Sequence, residues 1–352
     1  MLPKPRPPAS ASGSITSSSF FNVKNYFANA VLPEMDWDPP GDDKSMKGTG
    51  WGDPTATHRA PTNWRLLKRV QPLPQKSFDK LVLEYFERDS IKNANISKIV
   101  PKLTVPVPGF DTLGLNLPEA ESETDVVFWI RQAPCSTVRD VLRHMDPAYE
   151  AWKFLPVIGS HSGRSDLAWL LRWKHEGQKR SIYRCSIEVK PPWVYAWLDL
   201  IEFTNMREYP IEISPEQRVN DEGLDKYQKL WCQIFDYVVA QGTHYFILST
   251  YHGWVFGCFS EMYTTAWVTP PKPHDTKGPT IIQCLLYWIQ SSMSAEGGFV
   301  IPEVRGEPKI LPRDLPMPVL GLAGRTYKKP RKGKAAKLSF HTRAALAIDS
   351  VC

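Results

Sequence analysis

The stretch Leu167–Lys190 reads LAWLLRWKHEGQKRSIYRCSIEVK and decides the fold. Its first seven residues are apolar and aromatic and have the length of a strand, and residues 175–178 form a polar turn that contains a glycine. Residues 181–190 return to a strand pattern, and Pro191 ends it because proline cannot donate to a sheet ladder. The pattern predicts an antiparallel hairpin.

The position of the turn sets the register of this hairpin. Counted from the Glu-Gly turn, the numbers of paired residues sum to about 353, which places Asp166 beside Ile187 and Glu188. Side chains alternate along a strand, so Glu188 and Lys190 leave the same face. The sequence therefore predicts a cluster of two carboxylates and one amine.

Two carboxylates a few ångströms apart repel each other unless a cation lies between them. Mg²⁺ suits such a pair, because it takes one or two carboxylates and keeps its other positions for water and phosphate oxygens. A nearby lysine can offset phosphate charge, as in a metal-dependent phosphodiesterase. The tripeptide Glu-x-Lys alone is weak evidence, since it recurs at Glu307-Pro308-Lys309. An ordinary Glu/Lys pair on a solvated strand edge is the competing interpretation.

The segments around the hairpin predict an α/β (α+β) fold. After the hairpin, a helix is expected from near residue 222 to Gln241 with Gly242 as its cap, then strands at 245–250 and 254–259 and a helix at 280–293. Before it, the predictions are a helix from Ser77, a strand or short helix at 126–130, and a helix capped by Ser136 that continues through Tyr149, Trp152 and Leu155.

These elements carry a resemblance to a known superfamily. The residues Ser165-Asp166, then Ile187-Glu188-Val189-Lys190, then a helix with Gln233 and Tyr237, resemble the PD-(D/E)XK, or restriction-endonuclease-like, nucleases. The resemblance covers about residues 140–262, a third of the chain, and Ser165 stands where the family name has proline. It implies a mixed sheet flanked by helices, with long irregular flanks outside it.

The resemblance also implies roles for five residues. Asp166 and Glu188 would bind Mg²⁺ or Mn²⁺, Lys190 would assist catalysis, and Gln233 and Tyr237 would project from the helix toward the site. Glu150 would match the family's variable helical acid. The implied function is metal-dependent hydrolysis of phosphodiester bonds in DNA or RNA. A catalytically inactive, nuclease-like binding or regulatory module is the alternative.

More narrowly, the chain is similar to proteins of mushroom-forming fungi that are related to the N-terminal region of fungal-type protein kinases. The kinase motifs themselves are missing from this sequence, which has no glycine-rich phosphate loop, no H-R-D tripeptide and no D-F-G. The inactive alternative would thus be a module formerly associated with such a kinase.

Composition divides the chain of 352 residues into four parts. We expect a disordered Pro/Ser-rich segment at 1–20, an irregular arm with short helices at 21–135, the nuclease-like core at 136–298, and a Pro-rich and then basic tail at 299–352. The net charge of the chain is +6, and residues 301–352 alone carry +7. The body, residues 1–300, is therefore close to neutral.

The basic tail holds seven Lys or Arg residues between 325 and 337, among them Lys328, Lys329, Arg331, Lys332 and Lys334. A nuclear-import signal, a phosphate-binding arm for nucleic acid and a merely solubilising tail all fit this composition. An intracellular location is expected, in the nucleus if the tail is an import signal and in the cytoplasm otherwise.

Several other classes are disfavoured by the sequence. The first residues lack the apolar region of a secretory signal, and no run of 18 apolar residues predicts a membrane span. The six cysteines form no C-x-x-C pair and are expected to be reduced core thiols. Gly159–Gly163 has histidine where a serine-hydrolase elbow needs serine, so a loop is expected. The tryptophans are expected to be core residues rather than base-stacking platforms.

Overall fold

A computed structural model describes residues 21–37, 66–157, 165–208, 224–307 and 309. These residues all belong to one compact unit. The predictions for residues 1–20, for the Gly159–Gly163 loop and for the basic tail from Lys328 to Lys334 lie outside the described residues.

The helices and strands follow one another along the whole described chain. The helices are α1 (Val23–Asn29), α2 (Gln75–Phe86), α3 (Asp89–Lys92), α4 (Glu123–Ile130), α5 (Ser136–Met145), α6 (Trp197–Asn205), α7 (Lys226–Gln241) and α8 (Ile281–Ser292). The strands are β1 (Arg69–Pro72), β2 (Trp152–Leu155), β3 (Leu167–His175), β4 (Gln178–Val189), β5 (Tyr245–Ser249), β6 (Gly253–Phe259), β7 (Thr265–Val268) and β8 (Lys272–Pro273).

The strands form one mixed sheet in the order β1-β7-β6-β5-β4-β3-β2, with β8 added to β6. The pairs β4–β5 and β1–β7 are parallel, and the other pairs are antiparallel. The predicted mixed α/β class is therefore confirmed. Strand β1 comes from the stretch predicted as an irregular arm, so the sheet is not confined to residues 136–298.

Helices cover both faces of this sheet. On the first, the α8 face, Ile187 and Ile247 pack in a large apolar core with α1, α2, α5 and α8. On the second, the α7 face, Phe246 and Leu248 pack with α6 and α7. Because strand side chains alternate, each central strand contributes to both cores.

Helix α7 begins and ends where its sequence signals lie. The Asp225 side chain accepts from the amides of Tyr227 and Gln228, which satisfies two donors of the first turn. Gly242 ends the helix with φ 64°, a left-handed conformation that glycine adopts without steric cost. The predicted C-terminus of this helix is confirmed.

The segment before the hairpin differs from its prediction. Ser136 is not a helix cap, because α4 passes through a single π-helical turn into α5 and the Ser136 hydroxyl donates to the Arg131 carbonyl at 3.0 Å. The predicted continuation through Tyr149 to Leu155 is also wrong. There Trp152 and Phe154 alternate with an exposed Lys153, a period of two that makes strand β2.

Candidate active site

The β3–β4 hairpin forms as the sequence predicts, with one irregularity that changes its register. The numbers of paired residues sum to 353 from His175–Gln178 to Leu170–Tyr183, and to 354 from Trp169–Cys185 onward. Arg184 is therefore an extra residue, a β-bulge, and its carbonyl accepts a hydrogen bond from the Thr243 hydroxyl.

This bulge determines which residue of β4 lies opposite Asp166 on the same face of the sheet. Leu167 pairs with Ile187, so continuing the ladder by one residue places Asp166 opposite Glu188. With the uninterrupted register, Asp166 would face Ile187, whose side chain points to the α8 face. The prediction that Asp166 approaches Glu188 is met only because one residue is inserted.

The predicted cluster is assembled at the end of β4, beside the parallel strand β5. The Val189 amide donates to Asp166 Oδ2 at 2.7 Å, and Lys190 Nζ forms an ion pair with Glu188 Oε1. Lys190 in turn donates its amide to the Ser249 carbonyl of β5 at 2.9 Å. Glu188 and Lys190 are buried, whereas Asp166 is partly exposed, so the cluster opens to solvent at Asp166.

Burial and neighbouring carboxylates disfavour the charged forms of Asp166 and Glu188. Burial, and next the charge of Glu188, raise the pKa of Asp166 well above its ordinary value. Burial likewise raises the pKa of Glu188, although the Lys190 ammonium opposes the shift. The Lys190 ammonium thus offsets part of the cost of charging these two acids but not all of it.

Lys190 and Tyr237 keep their protons in this environment. Burial acts to lower the pKa of Lys190, but the neighbouring carboxylates, Glu188 first, raise it above its ordinary value. Burial and the charge of Glu188 raise the pKa of Tyr237 well above the ordinary range. The lysine is therefore a fixed positive charge at neutral pH, and the tyrosine is a neutral hydrogen-bond donor.

Helix α7 presents a polar row, one residue per turn, toward this end of β4. The Tyr237 hydroxyl donates to Glu188 Oε1 at 3.3 Å. Gln233 lies one turn earlier on the same helix side, and its Oε1 is buried without a hydrogen-bond partner among the described residues. The structure thus joins Tyr237 to the acidic cluster directly and places Gln233 beside it on the helix.

Two residues that the sequence reasoning missed complete the surroundings. Gln241, one turn after Tyr237, donates to the Ser165 hydroxyl at 3.0 Å and accepts from Ser186 at 2.7 Å, so it fixes the residue before Asp166. The row of Gln233, Tyr237 and Gln241 at intervals of four is a signal that the sequence does contain.

The second missed residue is Glu123, the first residue of α4. Its charge contributes to raising the pKa of both Asp166 and Glu188, so it acts on the cluster electrostatically. A capping box between Ser122 and Asp125 fixes where this helix begins. Glu150, which the resemblance favoured as the helical acid, is instead an exposed residue after a 3₁₀ turn.

The second Glu-x-Lys tripeptide has a different role. Glu307 accepts hydrogen bonds from the hydroxyls of Ser260 and Thr264 and from the Met262 amide, the last at 3.2 Å. It ties the chain after α8 to the turn between β6 and β7. The Glu-x-Lys tripeptide at Glu188 therefore belongs to the candidate site, whereas the one at Glu307 anchors a loop.

The tryptophan and cysteine predictions hold in part. Trp169 and Trp231 are fully buried core residues, but Trp173 and Trp193 are partly exposed and Trp197 is 42% exposed. The five cysteines within the described residues are buried core residues, as predicted.

The Asp166 and Glu188 carboxylates form a donor set that a divalent cation can use. Glu188 Oε2 is buried and has no hydrogen-bond partner among the described residues, and Asp166 lies across the ladder from it. This matches the one or two carboxylates that Mg²⁺ requires. No set of three or more His, Cys, Asp or Glu side chains in the described ranges is arranged to hold a metal. The fit is thus to a two-carboxylate site.

Comparisons of the chain with family models, with curated proteins and with solved structures gave no match. Within the described residues, no helix is both long and apolar enough to cross a membrane.

Proposed function

We propose that this protein is a metal-dependent nuclease of the PD-(D/E)XK type that hydrolyses phosphodiester bonds. The observation that carries the proposal is the Asp166–Glu188–Lys190 cluster, in which Glu188 and Lys190 are buried, the charge of Glu188 disfavours that of Asp166, and Glu188 Oε2 has no partner among the described residues. Folding alone does not favour such a cluster, because each buried charge loses hydration.

The residues divide the chemical work. Asp166 and Glu188 would hold Mg²⁺, and the chemistry that the ion supplies when bound is neutralisation of phosphate charge and activation of water. Lys190 would stabilise the charge that develops on the phosphate oxygens, and it acts as a cation rather than a base because its pKa is raised. Tyr237 holds Glu188 by its hydrogen bond, and the Gln233 amide oxygen, which has no partner among the described residues, can orient a water molecule.

A catalytically inactive binding module is the second candidate. The observation that favours it is the occupation of Glu188 Oε1 by both Lys190 and Tyr237, which leaves one oxygen of that carboxylate for a metal. The Glu188–Lys190 ion pair would then have a structural role and no catalytic one.

The test is cleavage of labelled DNA and RNA by the full chain with Mg²⁺ or Mn²⁺. Lys190→Ala should lower the rate at least about 100-fold, the usual cost of removing one group that stabilises transition-state charge. Lys309→Ala is the matched control, because it changes the lysine of the other Glu-x-Lys tripeptide, and it should leave the rate unchanged.

Cleavage that survives Lys190→Ala would refute the assigned site. No cleavage by the wild-type chain on any substrate, together with no Mg²⁺ binding by calorimetry, would favour the inactive module.

A further inference from the structure

The β3–β4 hairpin extends beyond the rest of the sheet. Strand β2 pairs with β3 only as far as Leu171, and β5 pairs with β4 only from Cys185. Within the described part of the chain, the two strands pair only with each other between Arg172 and Ser181, and we call these residues the projecting ribbon. The stretch Lys174–Arg180 is exposed throughout, so the ribbon adds little to the apolar core.

The projecting ribbon is strongly cationic. It contains four Lys or Arg residues and a single acid, Glu176. Lys174 and Lys179 are direct cross-strand partners, an arrangement of like charges that destabilises a sheet. Within the described residues, the ion pair on this ribbon is His175 with Glu176, which leaves both lysines uncompensated. These charges indicate an anionic ligand.

The cations share a sheet face with the candidate active site. Arg172 and Lys174 lie six and eight residues after Asp166 on an unbulged strand, so all three point to the α7 face. Lys179 opposes Lys174, and Lys153 of β2 opposes Leu170 on the same face.

At about 3.3 Å per residue, Arg172 lies about 20 Å and Lys174 about 26 Å from Asp166. At 3.4 Å per base pair of duplex, this spans about six to eight base pairs. A cationic row at that distance fits the backbone of a polynucleotide whose scissile phosphate is at Asp166.

The shape of the ribbon selects among polynucleotides. The major groove of B-form DNA, about 12 Å wide, admits a two-stranded β-ribbon. The major groove of A-form RNA is too narrow and deep for this. Arg180, which pairs with Trp173, leaves the ribbon on the face opposite Lys174, so cations are available to both walls of a groove.

We propose that the projecting ribbon is a DNA-binding arm that lies in the major groove of a B-form duplex about six to eight base pairs from the scissile phosphate. This inference rests on the proposed nuclease function for the position of the cleaved bond. The binding of the duplex by the ribbon can be measured separately from cleavage.

The experiment compares two double variants of the full chain with equal charge change. Lys174→Glu/Lys179→Glu alters the ribbon, and Lys98→Glu/Lys102→Glu alters two exposed lysines in the loop between α3 and α4. Binding of a labelled 30-base-pair DNA duplex is measured by fluorescence anisotropy without divalent metal, at several salt concentrations. Circular dichroism confirms that each variant is folded.

We expect the ribbon variant to bind at least about tenfold more weakly and to show a salt slope smaller by about 1.8, the value for two lost phosphate contacts. The loop variant should bind within about twofold of wild type, since its lysines face no ligand. If the ribbon is needed for DNA binding but the wild-type chain cleaves no substrate, the DNA-binding arm is supported and the proposed nuclease function is rejected.

Equal weakening in both variants would overturn the inference, because it would show only the effect of net charge. A ribbon-dependent preference for duplex RNA would also overturn it. The inference would also be overturned if the ribbon variant lost binding to vesicles with anionic lipids while its DNA binding was unchanged.

Discussion

The two sides of strand β4 contrast sharply although both are buried. Toward α8 the strand presents apolar side chains, and toward α7 it presents polar and charged ones; the first set is Cys185, Ile187 and Val189, and the second is Ser186, Glu188 and Lys190. Burial stabilises the first set through the hydrophobic effect. It raises the pKa of Glu188 and so works against the charge of the second.

This contrast separates residues that hold the fold from residues that the fold has to accommodate. Removing a side chain toward α8 should cost stability, whereas removing a charge toward α7 should restore some. The change in the free energy of unfolding should therefore have opposite signs at neighbouring positions of one hairpin. General damage to the strand would lower the stability at both positions.

The largest effect is expected from Ile187→Ala. The side chain is fully buried in the core with α8, so the free energy of unfolding should fall by about 2–5 kcal/mol through lost burial and the cavity left behind. Urea denaturation followed by tryptophan fluorescence measures it. Ser186→Ala is the control on the other side of the strand and should cost only about 1 kcal/mol, for its hydrogen bond to Gln241. Equal losses would erase the contrast between the two sides.

Asp166→Asn should change stability in the opposite direction. The variant keeps an oxygen that can accept from the Val189 amide but removes one repelling charge, so the metal-free protein should gain about 1 kcal/mol at pH 7.5. The pKa of Asp166 is raised on folding, so its stabilising contribution is present below about pH 4 and is lost as pH rises.

The gain from Asp166→Asn should therefore grow as the pH is raised from 5 to 8, as measured by urea denaturation in the presence of a chelator. Mg²⁺ should stabilise the wild-type chain and not the variant. A variant that is less stable than wild type at every pH would show that Asp166 is a structural residue.

The smallest effect is expected at the bulge. Thr243→Val keeps the shape of a buried side chain but leaves the Arg184 carbonyl without the hydroxyl that donates to it, at a cost of about 1 kcal/mol. If the bulge sets the position of Asp166, cleavage should fall by more than this loss of stability explains. Unchanged cleavage at reduced stability would show that the bulge persists without this bond.

Much of the scaffold could be predicted because its signals are local. The hairpin follows from a polar turn with a glycine between two runs of strand length, and the C-terminus of α7 follows from Gly242. The spacing of Tyr149, Trp152 and Leu155 predicts a helical period, but pairing with β3 decides in favour of a strand over Trp152–Leu155.

The sequence by itself determined the hairpin, the long helix α7 and the residue types of the cluster, since these depend on neighbours a few positions apart. Only the tertiary structure decided that Asp166 faces Glu188, because the bulge at Arg184 is held by Thr243, a residue 59 positions away. It also decided that the charge of Glu123 acts on Asp166, since the packing of α4 against the sheet brings in a charge from a distant part of the chain. Contacts between distant segments leave no periodic pattern in the sequence, and for this reason they appear only when the chain is folded.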